Sequence, residues 1–154
     1  MNNPLETLGR RLVGRWTTEA THPAMPGTII TGSSQFEWLD GKQFLIYRSH
    51  YDHPDFPDAI SIIGDTDGLQ MHYFDTRGVH RLFTLTVTEE GWAIALGRQA
   101  GARSYASGDA PFSQRMTYTF QDADETMLGK GELSRDDVNW EDDLEIAYHA
   151  HGNN

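Results

Sequence analysis

The stretch Gln70-Met71-His72-Tyr73-Phe74-Asp75-Thr76-Arg77-Gly78-Val79-His80-Arg81-Leu82-Phe83-Thr84-Leu85-Thr86-Val87-Thr88-Glu89-Glu90-Gly91-Trp92-Ala93-Ile94-Ala95-Leu96-Gly97 decides the fold class. It is rich in Val, Ile, Leu, Thr, Tyr and Phe, apolar and polar residues alternate along it, and Arg77-Gly78 and Glu89-Glu90-Gly91 interrupt it. Alternation with a period of two, punctuated by glycine-containing turns, marks antiparallel strands joined by tight hairpins. The segment predicts strands over Gln70–Asp75, His80–Thr88 and Trp92–Gly97.

The same grammar extends in both directions. Upstream it predicts strands over Arg15–His22, Thr28–Leu39, Gln43–Tyr51 and Ala59–Gly64, with turns at Asp40-Gly41 and Asp67-Gly68 and an irregular His53-Pro54-Asp55-Phe56-Pro57. Downstream it predicts Phe112–Phe120, Thr126–Leu133 and Trp140–His149. Leu5, Leu8 and Leu12 recur at helical spacing behind Pro4, which predicts one short amphipathic helix over 4–12. Connections this short make sequence neighbours into spatial neighbours, and closing the sheet removes its two sticky edges. The expected architecture is all-β: one closed antiparallel up-and-down barrel of about ten strands with a short N-terminal helix, spanning 1–154 as a single domain. Arg98–Pro111, rich in Gly, Ala and Ser, is read as an irregular segment, either a surface loop or a lid over a barrel mouth.

Composition narrows the function. A net charge of −11, with two lysines against ten arginines, disfavours nucleic acid and anionic membrane by repulsion. Cysteine is absent, so thiolate chemistry and disulfides are excluded. No secretory leader and no long apolar run is read, so the expected compartment is the cytoplasm. Phosphate-loop, dinucleotide, H-E-x-x-H and G-x-S-x-G motifs do not occur.

Gly14-Arg15-Trp16 follows the helix and opens the first strand. A helix, then G-x-W, then a run of hairpins resembles the calycins: lipocalins, fatty-acid-binding proteins and, by its strand count, the nitrobindin-like barrels. The resemblance implies a pocket inside a barrel and a structural role for Gly14 and Trp16, the tryptophan plugging the closed end. Haem-binding members place a proximal His on the last strand. The corresponding position here falls near Asp143 or Glu145, with His149 later, so the resemblance implies no haem and no cofactor is expected.

Several clusters are candidates for chemistry. Arg48, His50 and Asp52 share one strand face; turned inward, Arg48 and His50 would anchor an anionic or carbonyl-bearing ligand. His50, Asp52 and His53 are residue types found in zinc or iron sites, but neighbours in a strand point to opposite faces, and no metal site is expected. With Arg77-Gly78 as a two-residue turn, Asp75 lies opposite His80 and His72 opposite Phe83. An Asp75–His80 pair would raise the imidazole pKa and hold its tautomer for proton transfer. The alternative face of that hairpin (His72, Phe74, Val79, Arg81, Phe83, Leu85) is the more apolar and competes for the lumen. In Phe112–Phe120 the even positions are read as packing, leaving Arg115 to pair with the acidic last strand, Trp140–His149, or with a ligand.

Three functions are compatible with this. The first is binding of a small hydrophobic or mixed-polarity molecule in the lumen, with Arg48, His50, His72, Asp75, His80 and Arg115 as candidate contacts and Trp38, Tyr47, Phe74 and Tyr118 as lining. The second is a cofactor-independent isomerase, cyclase or lyase built on lumen His, Asp, Arg and Tyr. The third is a structural or protein-interaction module with a filled barrel; a homodimer is an open alternative.

Overall fold

A computed structural model describes residues 3–96, 105–106 and 112–151. Helix α1 (Pro4–Leu12) begins where Asn3 caps the Leu5 N–H and Pro4 occupies the first turn, and Glu6 and Arg10 pair at 2.9 Å along its outer side. Ten strands follow the expected segments, each within two residues: β1 (Gly14–Thr21), β2 (Ile30–Trp38), β3 (Phe44–Tyr51), β4 (Ala59–Asp65), β5 (Leu69–Asp75), β6 (His80–Val87), β7 (Gly91–Leu96), β9 (Ser113–Gln121), β10 (Thr126–Ser134) and β11 (Glu141–Ala150). Between β7 and β9 lies a two-residue strand, β8 (Tyr105–Ala106), pairing with Arg81 and Leu82 of β6. It falls inside the stretch read as irregular; the rest of that stretch, and with it the lid reading, lies outside the described residues.

All pairings are antiparallel. The order β5-β4-β3-β2-β1-β11-β10-β9-β7-β6 closes on itself through β5–β6, giving a ten-stranded barrel. Inward positions alternate as strand pleat requires: Trp16, Thr18 and Ala20 on β1, Leu45 and Tyr47 on β3, Ile146 and Tyr148 on β11 are all buried.

One end of the barrel is stoppered. The buried Leu5, Leu8 and Leu12 of α1 face the lumen core, and Trp16 donates its indole N–H to the Leu12 carbonyl at 2.9 Å. Arg11 fastens the helix to the turns at that end: its guanidinium donates to both Asp124 carboxylate oxygens at 2.9 and 3.0 Å and to the Glu89 carbonyl at 2.9 Å, and it lies 4.0 Å from the Phe120 ring centre. Gly9 lets the helix lie directly on Trp38, since a Cβ there would sit 2.1 Å from the indole Cζ2.

Two local departures from the simplest pairing set the inward faces. The β5–β6 hairpin has a three-residue loop, Thr76-Arg77-Gly78: Asp75 N–H donates to the Val79 carbonyl, and Gly78 takes the left-handed conformation at φ 82°. This moves the register one residue from that of a two-residue turn, so Phe74 faces His80 and His72 faces Leu82. A one-residue shift exchanges which residues share a face; Asp75 and His80 are therefore on opposite sides of the sheet. The second departure is a bulge in β11, where Asp143 and Leu144 together oppose the single Gly131 between Lys130 and Glu132 of β10. Gly131 sits at this bulge because a Cβ would come 2.7 Å from the Leu144 carbonyl oxygen.

Candidate functional site

Above the plug the lumen is not filled. A cavity of about 350 Å³ runs from an aromatic floor to a mouth at the end opposite α1. The floor presents Tyr47 and Tyr118, each backed by a buried ring: Phe36 behind Tyr47, with centroids 4.2 Å apart, and Trp92 behind Tyr118 at 3.8 Å. Phe36 meets Trp92 edge to face at 6.3 Å, tying the pairs together. The hydroxyls of Tyr47 and Tyr148 share a hydrogen bond of 2.7 Å. Desolvation by burial pushes the pKa of Tyr47, Tyr118 and Tyr148 up, so these hydroxyls stay protonated and uncharged.

The walls follow from strand register. Tyr47, Ser61 and Tyr73 are cross-strand neighbours on β3, β4 and β5, and Leu45, Ile63, Met71 and Phe83 form the row beside them. Met71, Phe83, Ile94, Met116 and Ile146 give the cavity its apolar wall, while Ser49, Ser61 and Gln114 give it neutral polar groups.

Charged groups gather at the mouth. Asp75 is shielded from solvent and accepts from the Tyr73 hydroxyl at 2.8 Å and from the Arg77 guanidinium at 2.7 Å. Burial alone would raise its pKa, but the hydrogen bonds from Arg77 and Tyr73 prevail and leave the carboxyl below its ordinary value. Burial, followed by the bond to Asp75, pushes Tyr73 well above 10.0. Arg81 donates to the Gln114 side chain at 3.3 Å and lies over the rings of Phe112 and Tyr73.

Across the mouth, His22 meets Asp143 at 3.0 Å, and the Ala24 N–H donates to its Nδ1 at 3.0 Å. The second contact makes Nδ1 an acceptor, so Nε2 carries the proton and donates to Asp143. Both nitrogens are then committed, and His22 works as a latch between the β1–β2 loop and β11 rather than as a base. Phe56, from the β3–β4 loop, lies against both His22 and Tyr51 and forms part of the cavity's rim.

Of the six residues picked out as ligand contacts, Asp75 alone stands at the mouth. Arg48 and His50 are on the outer face of β3, because Tyr47, Ser49 and Tyr51 take its inward positions. Arg48 pairs with Glu37 at 3.3 Å. His50 is held between Asp58 on Nδ1 and Asp52 on Nε2, each at 2.9 Å, and their hydrogen bonds raise its pKa. Since the two carboxylates approach opposite sides of the ring, the trio does not converge on a point where a cation could sit. His72 and His80 lie outside as a parallel pair, 6.4 Å between centroids, with Phe74 stacked on His80 at 4.7 Å. Arg115 is also outside, paired with Glu132 at 3.1 Å and resting 3.7 Å from the Trp140 ring centre; its acidic partner is the neighbouring strand β10 rather than the last strand.

Among the residues expected to line the lumen, Tyr47 and Tyr118 do so. Trp38 instead packs under the plug helix, and Phe74 is exposed on the outer face. Gly14, at φ 134°, makes the turn from α1 into β1, and Trp16 is buried edge-on to Tyr148. On β11, Ile146 and Tyr148 point into the barrel while His149 points out and pairs with Glu19 at 3.3 Å. The histidine that the haem-binding members carry on the last strand has no counterpart facing the lumen here: Asp143 is engaged with His22, and the inward Ile146 and Tyr148 are not imidazoles.

Sequence reasoning passed over His22 and Ser61, and named Arg81 only as a member of the alternative lumen face of its hairpin. Arg81 and Ser61 carried a signal: each sits in step with buried apolar neighbours, Phe83 and Leu85 in one case and Ile63 in the other. His22 carried none, because its partner depends on the bulge in β11.

These features define a class: a closed ten-stranded antiparallel barrel, stoppered by a helix at one end and, among the described residues, open through a polar rim at the other. Its fold is similar to the crystal structure of Rv2717c from M. tuberculosis, with a TM-score of 0.66, 15% sequence identity and coverage of 99% of each chain. At that identity the likeness is one of fold. No protein-family model matches the chain, and no curated protein matches its sequence.

Proposed function

We propose that this protein binds a small molecule in the lumen of its barrel. The observation that carries the reading is the cavity itself. About 350 Å³ lies within the range of small-molecule sites, which run from roughly 300 to 1,000 Å³. Its composition is also that of a binding site, with rigid aromatic and thioether surfaces for affinity and a few fixed polar groups for orientation. A barrel meant only to be stable would fill this space, since close packing gains dispersion energy that a void forfeits.

The plug helix and Gly14-Arg15-Trp16 at the closed end support a kinship with the calycin and nitrobindin-like barrels, whose architecture keeps such a lumen. The enzyme reading has less support: His50, His72 and His80 face outward, and the imidazole at the mouth, His22, has both nitrogens engaged. Among the described residues no helix is long and apolar enough to cross a membrane.

Native mass spectrometry of freshly purified protein, beside its denatured mass, tests the proposal. A reproducible added mass that is lost in the variant Met116→Trp, whose indole would occupy the cavity, is the expected result. An added mass that persists in Met116→Trp would place the ligand elsewhere and overturn the reading.

A further inference from the structure

The charge distribution inside the barrel limits what it can hold. Among the described residues the charged side chains that line the cavity belong to its mouth, and all but Asp55, on the β3–β4 loop, have a described partner. Arg77 is on Asp75, Arg81 is on Gln114 and two aromatic rings, and Asp143 is on His22. The other polar groups of the described lining are neutral: the hydroxyls of Ser49, Ser61 and Tyr47, the last shared with Tyr148 and Ser34, and the Gln114 amide. A carboxylate or ammonium carried to that depth would lose its hydration and meet no opposite charge, which is the costliest form of burial. A hydroxyl or carbonyl would lose far less, because a hydroxyl can rotate to donate or accept as its partner requires.

Shape limits it further. The floor presents the rings of Tyr47 and Tyr118, locked from behind by Phe36 and Trp92, which meet each other edge to face. Such surfaces are preformed and flat, and they meet another ring by offset or edge contacts at little cost in side-chain freedom. Met71 and Met116 present thioethers to the same space, and thioether sulfur favours aromatic neighbours. A flexible alkyl chain would have to give up its rotational freedom to fit a compact cavity near the small end of the ligand-site range.

We infer that the lumen selects a compact, rigid, uncharged aromatic molecule bearing a hydroxyl or carbonyl group, held ring-to-ring by the floor and hydrogen-bonded at Tyr47 and Ser61. This rests on the lumen being a binding site, as proposed above.

Three probes separate the requirements: 2-naphthol, 2-naphthoate with the same rings and a charge, and octanoate with a charge and no ring. Isothermal titration calorimetry at neutral pH is expected to show 2-naphthol binding, with 2-naphthoate and octanoate each weaker by about tenfold or more, equivalent to about 1.4 kcal/mol. Tyr47→Phe keeps the ring on Phe36 and removes the hydroxyl. It should weaken 2-naphthol by roughly 3- to 10-fold, the range for one neutral hydrogen bond, with a thermal midpoint showing that the variant is folded. Met116→Trp should abolish binding of 2-naphthol. Tighter binding of 2-naphthoate or octanoate would overturn the inferred class and leave the lumen reading standing. An unchanged 2-naphthol affinity in Tyr47→Phe would overturn the hydrogen-bond assignment. Binding that survives Met116→Trp, or no binding by any probe together with a clean apo mass, would overturn the lumen reading itself.

Discussion

Replacing Gly9 by alanine tests the plug, because two effects of opposite sign compete there. In an exposed helix interior the change is stabilising, since alanine outranks glycine by about 0.8–1.0 kcal/mol in helix propensity. Here the new methyl would sit 2.1 Å from Cζ2 of Trp38 and 2.9 Å from two further indole atoms. The indole cannot bend away from the methyl as a flexible chain would, and it is packed between α1 and the barrel core. Overpacking of this kind costs about 1–3 kcal/mol. At the 2.1 Å approach the upper half of that range applies, and set against the propensity gain it leaves Gly9→Ala less stable by about 1–2 kcal/mol. A domain of this size loses roughly 2–4 °C in Tm for each kcal/mol, so the expected fall is roughly 2–8 °C. Calorimetry or circular dichroism on Gly9→Ala, Trp38→Leu and the double variant closes a cycle. With Trp38 truncated the methyl has room, so Gly9→Ala should then raise Tm relative to Trp38→Leu alone. A higher Tm for the single variant Gly9→Ala would refute the packing of α1 on Trp38 and the stoppered end built on it.

Two titrations examine the electrostatics. Burial raises Tyr47, Tyr51, Tyr73, Tyr118 and Tyr148, five of six tyrosines, above the ordinary 10.0. Spectrophotometric titration should therefore show at most one phenol ionising at its usual pH. Because the folded values lie above the unfolded ones, stability is intact below pH 10 and falls as pH rises beyond it, so the rest should ionise together with unfolding; several phenols titrating near pH 10 in a folded protein would contradict the closed floor. His50 is raised above 6.5 by its bonds to Asp58 and Asp52, so its contribution is complete below pH 6.5 and is lost as pH climbs through the folded value. Its NMR midpoint should lie above 6.5 and move back toward it in Asp58→Asn, and amide exchange in the loop between Asp52 and Asp58 should quicken as His50 loses its proton. A midpoint unmoved by Asp58→Asn would show that the clasp does not exist in solution.

The sequence by itself determined the secondary structure and the closure of the sheet. Alternation and turn glycines are local properties, fixed by backbone sterics and by which side of each strand must be dry, and so Pro4–Leu12 and the ten strand segments were legible before any contact was known. The inward face could be read where apolar residues alternate without rivals, as at Leu45 and Tyr47 or at Met116, Tyr118 and Phe120. Of the candidate site, Tyr47 and Tyr118 were legible as lining and Asp75 as a polar group, while Arg81 and Phe83 stood on a face that only competed for the lumen.

The rest was decided by tertiary structure, through register. Whether the β5–β6 loop has two residues or three turns on one hydrogen bond, from the Asp75 N–H to the Val79 carbonyl, and that bond puts His80 outside and Arg81 inside. The bulge at Gly131 brings Asp143 to His22, more than a hundred residues away, and completes the mouth. Arg48 and His50 looked like an anchoring pair because strand period places them on one face, but period cannot say which face is wet. The answer comes from the neighbouring strands, which offer carboxylates outside and ring surfaces inside. Local sequence sets the period of a strand, while its phase relative to the lumen is a property of the closed barrel.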